Sequence, residues 1–296
     1  MDFRTLRYFL TVVREQNISR AANILHVTQP TLSRQMAQLE EELGTQLFLR
    51  GKHLSLTDAG VMLRRRAEEV VELMAKIERE FEEQSELGGV VSIGSGNLIS
   101  SSLLPTAMQE FRSLYPKVRF EYYVNNTDYI KERLDSGLLD FGLLLEPTDI
   151  TKYDYIRMKD KERWGIFTGS NNQLSGKKFI TNKDLACLTL IAPNRLSMQR
   201  ELASWLGMDI NRLDIFTTYN IIVPDLLTPV KAGNAHVLAI EGGITITENN
   251  DIVFKPLQPE LSLTSVFVWK KFQPIFGTAG KFLEFFKSMQ AVHGLV

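Results

Sequence analysis

Residues 28–44 carry a helix whose start, buried face and end are all written in residue type, and everything near it must accommodate that helix. Thr28 is a good N-cap, and Pro30 falls in the first turn, where its missing N–H has no intrahelical partner to lose. Leu32, Met36, Leu39 and Leu43 follow at spacings of four, three and four, which makes them one apolar stripe, and Gly44 stops the helix. The opposite face presents Gln29, Thr31, Ser33, Arg34 and Gln38.

Upstream, Leu6, Phe9, Leu10 and Val13 recur at helical spacing, so Thr5 to Glu15 reads as an amphipathic helix. A second helix is expected from an N-cap at Ser19 to near His26, with Ala21 and Ala22 allowing a neighbouring backbone close. Two short helices joined tightly around Val27, the second with amides and a guanidinium outside, have the layout of a helix-turn-helix. Gln pairs bidentately with adenine and Arg with guanine in the major groove, and Ser or Thr hydroxyls bond bases or phosphates. The periodicity alone also fits an ordinary three-helix bundle with a solvated polar face. Downstream, Leu47-Phe48-Leu49 and Leu54-Ser55-Leu56 flank Gly51-Lys52-His53, a small hairpin with a basic tip. Such a wing brings Arg50 and Lys52 toward phosphates, and His53 suits a contact or a solvated loop equally.

Charge supports a divided chain. The total over 296 residues is −1, yet residues 1–66 hold ten Lys/Arg against six Asp/Glu, leaving 24 against 29 in the remainder. A basic head on an acidic body suits a phosphate-binding domain joined to a different module. The single cysteine, Cys187, makes no intrachain disulfide or thiol pair, and no stretch reads as a leader or membrane span. A cytoplasmic chain with no membrane association and no cofactor is expected.

From Asp58 to about Leu87 a long helix is expected, roughly 45 Å at the usual rise. Leu63, Ala67, Val70, Met74, Ile77 and Phe81 alternate spacings of four and three along it. So narrow a stripe among so many charges suits a partner helix better than packing on the chain's own body. After Gly88-Gly89 the pattern becomes alternating strands and helices. Strands are expected at 90–93, 118–124, 138–145, 188–192, 214–218, 236–240 and 265–269. Helices are expected at 102–114, 129–134, 198–206, 225–231 and 279–290. A parallel α/β body of two lobes with a cleft between them follows. The domain plan is thus 1–57 for the winged helix-turn-helix, 58–88 for the linker helix and 89–296 for the sensor. Lobe I is placed at 89–163 and 267–296, and lobe II at 164–266.

The stretches Ser19-Arg20-Ala21-Ala22, Leu25 through Gln35, Leu39 through Arg50 and Leu56-Thr57-Asp58-Ala59-Gly60 resemble the LysR-type transcriptional regulators. The resemblance extends more loosely through Leu103-Leu104-Pro105, Tyr115-Pro116 and Gly137 to Gly142. It implies promoter binding and bending by dimers and tetramers joined through the linker helix. It also implies a sensor like periplasmic solute-binding proteins, with a small metabolite in the cleft. On that resemblance Gln29, Pro30, Thr31, Ser33 and Arg34 read DNA, with Arg50, Lys52 and His53 in the wing. Effector contacts are implied at Ser95 to Ser101, at Thr127 and at Asn194 to Gln199. The chain departs from the family's glycine-rich approach to a strand at Ala232 to Glu241, and Pro229 falls inside an expected helix.

Two other readings compete. An enzyme is disfavoured because Cys187 sits in an apolar run and four scattered histidines lack metal-ligand spacing. A free-standing solute-binding protein would share the lobes but not the first sixty residues. Because strand-to-helix connections place positive helix ends at such a cleft, the expected ligand is an anionic metabolite. Its expected polar contacts are Asn97, Ser100, Ser101, Thr127, Arg195 and Ser197, with Ser95 in the same first loop.

Overall fold

The computed structural model describes residues 1–49, 54–82, 87–244, 251–272 and 275–292. The chain forms two compact units, Met1–Gln84 and Ser85–Val296. In the first, α1 (Phe3–Glu15), α2 (Ile18–Ile24) and α3 (Gln29–Leu43) enclose a small core. Asp2 caps α1 by accepting from the Thr5 amide at 2.7 Å. The cap of α2 is Asn17, accepting from the Arg20 amide at 3.0 Å, and not Ser19, which is exposed one residue inside the helix. Thr28 and Gly44 bound α3 as expected, and Gly44 has a φ of 65°. Phe9, Val12, Ala21, Ala22, Leu32 and Leu39 are essentially sealed from solvent, so the alanines do let the helices meet closely.

Strands β1 (Phe48–Leu49) and β2 (Ser55–Leu56) pair antiparallel as the base of the wing. Arg50, Lys52 and His53 lie outside the described residues. The long helix α4 is described over Asp58–Glu82, 25 residues or about 37 Å. The Thr57 hydroxyl accepts from the Gly60 amide and donates to the Gln46 carbonyl, which ties the helix start to the wing. Among the described residues no helix is long and apolar enough to cross a membrane.

The second unit holds two sheets. The first combines β3 (Gly89–Ser95), β4 (Val118–Val124), β5 (Phe141–Leu145), β6 (Tyr153–Arg157) and β13 (Ser265–Lys270), in the order β4-β3-β5-β13-β6. Helices α5 (Leu103–Leu114), α6 (Thr127–Asp135) and α10 (Gly277–Val292) belong to this lobe. The second sheet runs β11-β7-β10-β8-β9. Its strands are β7 (Glu162–Gly169), β8 (Thr189–Pro193), β9 (Asp214–Tyr219), β10 (His236–Ile240) and β11 (Ile252–Pro256), with β12 (Ser262–Leu263) beside β7. Helices α7 (Asn182–Leu185), α8 (Leu196–Leu206) and α9 (Thr228–Lys231) fill its connections.

The sheets are mixed rather than parallel throughout. β3 runs parallel to β4 and β5, and β8 to β9 and β10, but β13, β6, β7 and β11 join antiparallel. The chain crosses between lobes twice, and each return runs against the strand it joins. The lobe boundaries shift accordingly. Glu162 and Arg163 already pair with Leu263 and Ser262 in the second sheet, and Ser265 and Val266 pair with Leu145 and Leu144 in the first. Pro229 is accommodated because α9 is a single turn and the proline sits in it. His236 bonds Thr168 across the strands at 2.9 Å, and burial pushes its imidazole down toward the neutral form.

Candidate functional site

In the head, Gln29, Pro30, Thr31 and Arg34 are exposed on one face of α3 while Ser33 is half-buried. The hydroxyl of Thr31 is held by that of Thr28 at 2.8 Å, so Thr31 contributes to the cap as well as to the outer face. The turn before α3 is fixed by the Val27 amide donating to the Ala22 carbonyl at 3.0 Å, with His26 in the left-handed region at φ 54°. Sequence reasoning passed over Glu40. Its Oε1 accepts from the amides of Leu47 at 2.7 Å and Phe48 at 3.1 Å, clamping the wing to α3.

The apolar stripe of α4 divides. Ala67 is 1% exposed and joins the head's own core, with Leu63 packed beside it, because α4 crosses α1 there. These two are therefore intramolecular contacts, a correction to the uniform seam. Beyond them Val70 and Ile77 are exposed by 42% and 38%, and Met74 is half-buried. The side chain of Phe81 lies outside the described residues.

In the sensor a cavity of about 650 Å³ opens between the two sheets, at the carboxyl ends of β3, β4 and β8. Asn97, Thr127, Arg195 and Ser197 line it, as expected. Thr127 opens α6, and Arg195 and Ser197 sit at the start of α8, whose N-cap residue makes no side-chain cap bond. Arg195 reaches from the second lobe to the first, with Nη1 and Nη2 donating to the carbonyls of Leu145 at 3.4 Å and Pro147 at 3.3 Å. Burial pulls its pKa down, opposed by Asp128 at 3.8 Å. Asp128 is largely exposed, so much of the guanidinium charge is available to a ligand. The hydroxyl oxygen of Ser197 is buried and has no hydrogen-bond partner among the described residues.

Three expected contacts do not line the cavity. Ser95 is sealed and donates to the Gly96 carbonyl at 2.8 Å, and Ser101 donates to the Leu98 carbonyl at 2.6 Å. Ser100 is fully buried and donates to Glu162 at 2.9 Å while bonded to Ser265 at 2.7 Å. Their hydroxyls complete the fold instead. Leu98, within the expected Ser95 to Ser101 loop, also lines the wall, whereas sequence reasoning missed Trp164, Tyr219 and Ile222. Tyr219 is the last residue of the edge strand β9, where the strand order could have indicated it, but Trp164 lies in an apolar strand with no distinguishing signal.

With this geometry in place, comparison with known proteins decides the family. Residues 3–61 match "Bacterial regulatory helix-turn-helix protein, lysR family" and residues 84–291 match "LysR substrate binding domain". The chain belongs to the LysR family. It is a DNA-binding transcriptional regulator with an effector-binding body, and not an enzyme. Among curated relatives it is 33% identical over 192 residues to the uncharacterized regulator YybE of Bacillus subtilis (strain 168). That match covers 63% of this chain and 64% of YybE. It is 27% identical over 277 residues to HcaR, the Hca operon transcriptional activator of Escherichia coli (strain K12), covering 92% of each. The crystal structure of the LysR family regulator CbnR shares the fold, with a TM-score of 0.75 at 23% identity, covering 97% of this chain and 99% of that one. CbnR complexed with its target DNA aligns at a TM-score of 0.73 and 20% identity, covering 99% of both chains.

Proposed function

We propose that this LysR-family regulator reads promoter sequence through Gln29, Pro30, Thr31, Ser33 and Arg34. In this reading Arg50, Lys52 and His53 serve the backbone, and a small anionic metabolite bound between the sensor lobes modulates binding and bending. The observation that carries the sensor part is the convergence of the α6 and α8 starts with Arg195 on one cavity. Helix starts present unpaired amides and partial positive charge, which favour a carboxylate. Thr127, Arg195, Ser197 and Asn97 are its contacts. The protein acts as a dimer through the exposed Val70 and Ile77 and the half-buried Met74 of α4, and dimers pair into tetramers across adjacent DNA sites.

The test is a gel shift with the gene's own upstream region, with and without small carboxylic acids. Arg34→Ala should cost about 1–3 kcal/mol on the specific site and relax preference at one base pair. An equal loss on random DNA rejects base reading. Arg195→Gln should abolish the response to the acid while leaving basal DNA binding intact, and a retained response rejects the cavity assignment.

A further inference from the structure

We infer, resting on the anionic-effector reading, that the cavity seats one carboxylate and not two, so that the effector is a monocarboxylate with an apolar body. Among the described residues, the helix starts that follow β3, β4 and β8 at this end of the sensor differ in what already occupies them. The first is the turn Ile99–Ser102 leading into α5. Glu162, with no exposed surface, crosses from the second lobe and fills it. One carboxylate oxygen accepts from the Ile99 amide at 2.9 Å, and the other from the Ser100 amide at 3.1 Å and the Ser100 hydroxyl at 2.9 Å. Gly242 closes over the same turn, since a Cβ there would lie 2.3 Å from the Ile99 nitrogen. The chain supplies its own anion at this start, and a second carboxylate is repelled.

The second start, α6, is partly satisfied. Asn126 accepts from the Tyr129 amide at 2.9 Å, and Asp128 adds negative charge in the first turn. The third, α8, has no side-chain cap, no acid in its first turn, the unpartnered Ser197 hydroxyl and the Arg195 guanidinium. Of these three starts, this one combines free donors with a cation. The charged residues in the cavity wall also balance, Lys131 and Arg195 against Asp128 and Asp149. Lys131 gives one donor to the Asp149 carbonyl at 2.7 Å and shares the wall with the carboxylates of Asp128 and Asp149. Amides and hydroxyls such as Asn97, Asn126, Thr127 and Asn194 line the rest of the wall together with an apolar part formed by Leu98, Trp164, Met198, Ile222 and Ile240. Trp164 is 2% exposed and its indole N–H has no partner among the described residues, so the apolar part of the wall offers a neutral donor and no cation.

The experiment measures binding of length-matched acids to the full-length protein by calorimetry and thermal shift: hexanoate against adipate, and phenylacetate against 1,4-phenylenediacetate. Hexanamide is the uncharged control. In the wild type the monoacid of each pair should bind roughly tenfold or more tightly than the diacid, the fold-change of one charge-assisted hydrogen bond lost to repulsion. Glu162→Gln keeps the shape and removes the charge, and should raise diacid affinity about tenfold with monoacid affinity unchanged. If that variant does not fold, the wild-type comparison decides alone. Diacids binding the wild type as tightly as monoacids overturn the single-seat inference and leave the anionic reading standing. Hexanamide binding as tightly as hexanoate, or no acid binding at all, overturns both.

Discussion

Replacing Glu40 tests how the wing is held to α3. Its carboxylate receives two amides, Leu47 at 2.7 Å and Phe48 at 3.1 Å, at residues that are 1% and 8% exposed. Hydrogen bonds to a charged group contribute about 1.5–3 kcal/mol each, and Glu40 is only half-buried, so the lower end applies. Glu40→Ala therefore removes about 3 kcal/mol from the head, leaving two poorly solvated N–H groups. In a domain of this size each kcal/mol shifts the midpoint by about 4–8 °C, so the head's transition should fall by roughly 12 °C or more. Glu40→Gln keeps a neutral acceptor and should lose about half as much. Circular dichroism of thermal unfolding reads both variants against wild type. On the proposed reading of the wing as a backbone contact, DNA affinity should fall evenly across sequences. Glu40→Ala unfolding within about 0.5 kcal/mol of wild type would refute the clamp.

Gly60→Ala places a Cβ 2.2 Å from the Leu47 carbonyl oxygen and 2.8 Å from a Leu56 methyl, so α4 must move off the wing. A loss of about 1–3 kcal/mol in urea unfolding is expected, and an unchanged midpoint counts against this packing. Ala67→Asp should unfold the head by burying an unpaired charge, at a cost of several kcal/mol. Ile77→Asp should instead leave the head folded and yield monomers by light scattering, and an unaltered oligomer would remove α4 as the dimer contact. In lobe II, Lys177 at 2.5 Å and the Thr181 amide hold the Asp184 carboxyl down at about 2. A depressed carboxyl contributes stability above its ordinary 3.8, and that contribution drains away as pH falls from there toward 2. Denaturation of wild type and Asp184→Asn between pH 2 and 5 should converge at the acid end, and parallel curves would exclude this linkage.

Residue type and spacing alone determined α3 of the head. Thr28, Pro30, Gly44 and the Leu32 stripe each express a local preference, and the structure places α3 between Thr28 and Gly44. The strand-helix alternation of the sensor was legible for the same reason, as was the presence of Thr127, Arg195 and Ser197 at helix starts facing a cleft. Only the tertiary structure decided that Ala67 turns inward while Val70 and Ile77 do not, since one heptad stripe cannot say where a helix leaves its own core. It also decided that Ser100 is taken. The carboxylate that claims it stands 62 residues away, and no periodicity links two groups that meet only because two sheets fold against each other. Backbone preference and amphipathic pattern are local and survive in the bare chain, whereas the pairing of a buried charge with its donors exists only once desolvation forces each to find the other.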